Sequence, residues 1–84
     1  MFIMYIYTLY DTVAEECGPL FEAKNDKLAL RIFQNMKFPP ELNKKDFHLY
    51  KLGQCDKEQI RITSMNATRI FINMEDFKDE EDEI

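Results

Sequence analysis

The sequence predicts an α+β fold: a small antiparallel β-sheet with one helix, at about residues 25–37, packed on one face. Three observations lead to it. Residues 2–10 are rich in Ile, Tyr and Phe and stop at Asp11, which suits a strand buried on two sides. Behind Asn25, the residues Leu28, Ala29, Ile32, Phe33 and Met36 recur at helical spacing. Residues 47–63 read as two extended segments around a polar turn, the pattern of an antiparallel hairpin.

Each element follows from its residues. In the first strand Phe2, Met4 and Ile6 alternate with Ile3, Tyr5, Tyr7 and Leu9, so both faces are apolar. Asp11 opens a polar turn, and Gly18-Pro19 breaks any helix before a short apolar, extended piece at 20–23. Asn25 is a good N-cap and Asp26 suits the first helical turn. Pro39-Pro40 ends the helix, because proline has no amide hydrogen and its ring disfavours the helical conformation in its predecessor. Residues 41–46 form a polar connector to a second strand, 47–52, with His48, Tyr50 and Leu52 on one face and Phe47 and Leu49 on the other. Residues 53–58 have turn composition, and 59–63 alternate so as to place Ile60 and Ile62 inward. The Ile and Phe content of residues 69–74 favours a last strand over a short helix. One helix covers only one face of a sheet whose first strand is apolar on both, which predicts a homodimer that buries the other face.

Charge divides the chain in two. Residues 75–84 hold seven carboxylates and one lysine, while residues 1–74 hold ten Lys/Arg against nine Asp/Glu. The net charge of −5 therefore belongs to the end of the chain, and the rest is open to a partner of either sign. We read 1–74 as a single compact domain and 75–84 as an acidic, disordered tail. Two cysteines, Cys17 and Cys55, are too few for a disulfide framework or a metal site and suit a reduced, intracellular chain. The N-terminal apolar run has no basic segment before it and is too short to span a membrane, so it is read as part of the fold.

No catalytic arrangement stands out. His48 is the only histidine, Gly18 and Gly53 are the only glycines, and no nucleophile–base pair or phosphate loop is spelled out. A non-enzyme without a cofactor is expected. Nucleic-acid binding draws on Lys24, Lys27 and Arg31 along the helix, Lys44 and Lys45 before the second strand, and Lys51 and Arg61, with Arg69, on the sheet. These would meet phosphates while Tyr50 or His48 stacks on a base, the usual ingredients of single-strand binding. The plainer alternative makes Phe47 and Tyr50 core residues and the lysines a solvated face.

One stretch points further. Asp11, Ala14, Glu15, Pro19, Phe21 and the segment LALRIF at 28–33, followed by KKDFHLYKLGQCD at 44–56, resemble in order and spacing the small nonstructural protein of gokushoviruses, single-stranded DNA phages of the Microviridae. The chain departs from that pattern in a shorter spacer after the helix and in Cys55, which stands where an aromatic precedes the aspartate; beyond Asp56 the likeness fades. The resemblance implies a non-virion phage protein of the bacterial host cytoplasm, commonly labelled DNA-binding, with a part in genome replication or in the switch to packaging. Arg31 is the one matched residue suited to contact DNA. The acidic tail would then mimic DNA or recruit a partner. The competing expectation is a dimeric protein-interaction module that touches no nucleic acid and engages a basic phage or host partner through the tail. Basic groups converging on one surface would favour DNA; scatter would favour a protein.

Overall fold

The computed structural model describes residues 3–71. Its strands are β1 (Ile3–Asp11), β2 (Glu16–Cys17), β3 (Phe21–Ala23), β4 (Phe47–Asp56) and β5 (Arg61–Ile70). One helix, α1 (Asp26–Asn35), follows β3, and a 3-10 turn at Lys44–Asp46 leads into β4. All pairings are antiparallel, in the order β2-β1-β4-β5. β4 occupies one edge of β1 along its whole length, so β2 and β3 share the other edge.

The α+β expectation, with a helix packed over one sheet face, is overturned. Of the described residues 49% are strand and 19% helical, and the sheet curls into an antiparallel half-barrel. α1 meets the sheet chiefly at the short β3. Length explains why: ten helical residues rise about 15 Å, whereas the ten residues of β4 or β5 extend about 33 Å. The helix is also shorter than 25–37, because Met36 turns extended (φ −68°, ψ 138°). Phe38 then lies against the rings of Phe33 and Phe47, at 6.1 and 4.8 Å between centroids.

Strand extends into 53–56, where the composition suggested a turn, and into 64–68, to which the sequence assigned no element. β4 runs on through Gly53–Asp56 and β5 through Ser64–Thr68, since pairing satisfies backbone donors and acceptors that local turn propensity would leave to water. The hairpin itself is as expected, with residues 57–60 as its four-residue connection. Ile60 falls in that connection at φ 53° and is 92% exposed, and Ile62 is 67% exposed, so neither points inward. Residues 72–74 of the expected last strand and the 75–84 tail lie outside the described residues.

Local chemistry fixes the ends of the elements. Asp11 Oδ1 accepts from the amides of Val13 and Ala14 and closes the turn after β1. Asn25 Oδ1 accepts from the Leu28 amide at 2.8 Å, the expected N-cap. Ala29 and Phe33 of α1 enter the core with Tyr7, Leu9, Ala23 and Leu49. Tyr5, Tyr7, Leu9, Leu49 and Lys51 thus mark a core face, and Ile6, Thr8, Tyr10, His48 and Tyr50 alternate onto an outer face. Gly53 sits at an irregularity in both of β4's pairings, and a Cβ there would come within 2.4 Å of the Thr63 carbonyl oxygen. Only glycine lets β5 approach that closely.

Candidate functional site

The expected basic residues fall in several places. Lys24 lies in the bend before α1, and Lys27 and Arg31 follow on the exposed side of the helix. Lys27 and Lys51 line one open depression of about 440 Å³ with Tyr5, Asn25 and Asp26. Within it, Lys51 Nζ is 3.0 Å from Asp26 Oδ1 and 4.6 Å from the centre of the Tyr5 ring. Tyr7 donates its hydroxyl to the same carboxylate oxygen at 2.6 Å.

Burial pushes the Tyr7 phenol well above its usual range, and the bond to Asp26 adds to the shift. Burial also works to raise the Asp26 carboxyl, but hydrogen bonds from Tyr7 and Lys51, with the lysine's charge, outweigh it and hold the group below the ordinary carboxylate range. Lys51 is therefore committed to a structural network. Lys44 is committed as well: its Nζ donates to the Gln34 carbonyl at 2.6 Å, near the last turn of α1, and lies about 6 Å from the Phe33 and Phe38 ring centres. Lys45 is exposed in the 3-10 turn, and Arg61 is exposed at the far end of the hairpin, opposite Asp56.

His48 and Tyr50 point the other way. They alternate with Leu49 and Lys51 along β4 and so project from the outer face. The structure brings together Lys27 and Lys51, and separately His48 and Tyr50; the nine predicted residues do not form one surface.

The outer face has a constellation of its own. Tyr10 and Tyr50 meet edge to face with ring centres 6.3 Å apart. In register, His48 lies opposite Tyr10, and Arg69 lies opposite Tyr50 on its other side. Thr8, Tyr10, Cys17, Tyr50, Leu52 and Ala67 line a shallow depression of about 230 Å³. The Arg69 guanidinium also sits 4.7 Å from the centre of the exposed Phe71 ring. Tyr10 was not singled out from the sequence, because its pairing with Tyr50 crosses forty residues of chain. One signal did exist: residues 59–74 carry two arginines and no carboxylate. Among the described residues, no group of His, Cys, Asp and Glu is placed to hold a metal ion, and no helix is long and apolar enough to cross a membrane.

Comparison with protein families decides the lineage. The family model described as Phage ORF5 protein matches residues 4–77. The chain belongs to the Phage ORF5 protein family. It is a small bacteriophage protein, and the match takes in all of the sheet from Met4 onward, together with α1. No curated protein and no solved structure matches it. The family match ends at residue 77, so five of the seven carboxylates of 75–84 lie beyond it.

Proposed function

We propose that this Phage ORF5 family protein binds single-stranded DNA on the outer sheet face and acts, in the bacterial cytoplasm, in genome replication or the switch to packaging, as its resemblance to the gokushovirus nonstructural proteins implies. The observation that carries the reading is the Tyr10–Tyr50 pair, flanked in register by His48 and Arg69 on the face turned away from the core. Both tyrosines are half-buried, which leaves part of each ring open to stack on a base without regard to sequence, and the neighbouring guanidinium would supply positive charge to the phosphate backbone. Residues 59–71 carry no carboxylate, which keeps repulsive charge off the β5 side of that surface. Lys24 in the bend before α1 and Lys27 and Arg31 on the helix would then be remote from the bases, in keeping with a solvated face.

The test is fluorescence anisotropy with a labelled single-stranded oligonucleotide of about 16 nucleotides at low and moderate salt, using the full chain. Tyr50→Ala is expected to weaken binding by about 1–3 kcal/mol, with Tyr50→Phe retaining most of it. Arg69→Gln should flatten the log–log salt dependence by about 0.7. Absence of salt-sensitive binding at low salt would remove the proposal.

A second reading has its own support. The dispersal of Lys24, Lys27, Arg31, Lys44, Lys45, Lys51 and Arg61 over separate surfaces is what a protein-interaction module without nucleic-acid contact would show. Capture of a basic phage or host protein that depends on residues 75–84, with no DNA binding, would favour that reading.

A further inference from the structure

We propose that β5 is a self-association edge: two copies of this chain pair their β5 strands antiparallel about a two-fold axis between Met65 and Asn66. This surface is a backbone edge and does not depend on DNA binding.

β5 has a neighbour on one side alone, so the outward backbone donors and acceptors of a ten-residue strand are left without a strand to pair with among the described residues. Such an edge is a template for another strand. The opposite rim of the sheet is blunted, being made of the two-residue β2 and the three-residue β3 with Gly18-Pro19 between them. Nine of the ten β5 residues are exposed, including Ile62 and Met65, and Phe71 just beyond is 76% exposed. Burial within one chain therefore does not account for the β-branched and apolar side chains of this strand.

What selects a second β5 over any other strand is a change of face in its middle. Ile62 and Ser64 lie opposite Cys55 and Gly53, which pair with Met4 and Ile6 on the outer face. Beyond the irregularity, Arg69 lies opposite Tyr50 on that same outer face, and Ala67 joins the outer depression beside Tyr50. Even-numbered residues are thus outward in the first half of β5, and odd-numbered residues in the second.

Residues opposite each other in an antiparallel pair share a face. A flat partner strand would fall out of phase at the switch, whereas a second β5, reversed, switches at the same point. The matching register sets Arg61 against the partner's Ile70, Ile62 against the partner's Arg69, Thr63 against the partner's Thr68, and Ser64 against the partner's Ala67. Each cation meets an isoleucine, no like charges are directly opposed, and the Thr–Thr pair is a favourable cross-strand combination. The contact is isologous and closes after two copies. It also joins the two outer faces into one continuous surface.

Sedimentation velocity of the full chain, without DNA, tests this from about 5 to 500 µM, the range in which a small edge-to-edge interface would assemble. Wild type is expected to shift from monomer to dimer. In the double variant Ser64→Lys/Ala67→Lys, lysines face each other twice across the axis, and dimerisation should weaken at least about tenfold, as like charges placed opposite destabilise strand pairs. Ser64→Glu/Ala67→Lys places opposite charges at the same positions and should restore the dimer. Both sites are exposed in the monomer, and circular dichroism checks that each variant keeps the fold. A wild type that stays monomeric throughout, or a dimer indifferent to the paired lysines, overturns the proposal.

Discussion

β4 has two neighbours, and they live under different physical rules. Against β1 it closes the core: Leu49 faces Leu9, Lys51 faces Tyr7, and Tyr7, Leu9 and Leu49 are all buried. Against β5 it gives a ladder of comparable length in which only Ile70 of ten β5 residues is even half-buried. The first pairing is held by apolar burial and the second by backbone hydrogen bonds and a close approach at Gly53. One strand can therefore serve as core along one edge and carry a solvent-exposed ladder along the other.

The sharpest way to break this contrast is to truncate one side chain on each side of it. Phe33→Ala, in the core, is expected to cost about 3–5 kcal/mol, a large part of what a small domain has to lose. Ile62→Ala, on β5, should stay within about 0.5 kcal/mol. Chemical denaturation of the two variants checks both, and similar costs would mean that β5 is packed as the core is.

Gly53→Ala probes the seam between the two regimes. A methyl group there meets the Thr63 carbonyl oxygen at 2.4 Å and the Ser64 Cα at 3.2 Å, so β5 must move away. The expected loss is about 1–3 kcal/mol, accompanied by faster amide exchange in β5 with β1 still protected. Uniform exchange across both strands would show that β4 couples them rigidly.

The smallest effect concerns Asp26. Its folded pKa lies below the ordinary 3.8, so its contribution is present above that value and is lost as pH falls through the folded pKa. Asp26→Asn should cost about 0.5–1 kcal/mol at neutral pH, discounted for the solvent exposure of the site. Thermal unfolding from pH 7 to pH 3 should show the wild type and the variant converging below about pH 4. A gap that stays constant over that range would mean that the carboxylate's charge contributes nothing.

Local sequence was a reliable guide wherever one residue type does one job. Asn25 caps the helix, Asp11 turns the chain after β1, and residues 47–63 hold a hairpin, although α1 stops at Asn35, before the prolines that were expected to end it. These depend on contacts a few residues apart, which the sequence encodes directly. The apolar stripe of α1 was also legible, since Ala29 and Phe33 fall in the core as their spacing requires.

What tertiary structure alone decided was how far pairing spreads and which face each residue takes. Gly53–Asp56 and Ser64–Thr68 have weak strand propensity, but a neighbouring strand satisfies their backbone groups, and this turned an α+β expectation into a mostly β half-barrel. The irregularities between Ile6 and Tyr7 and between Lys51 and Gly53 then set the phase of the sheet. That phase puts Lys51 beside Asp26 on the core face and brings Tyr10 and Tyr50 together on the outer one. The side-chain period of a strand is two, so one inserted residue reverses every face beyond it, and a chain read locally cannot say where the insertion falls.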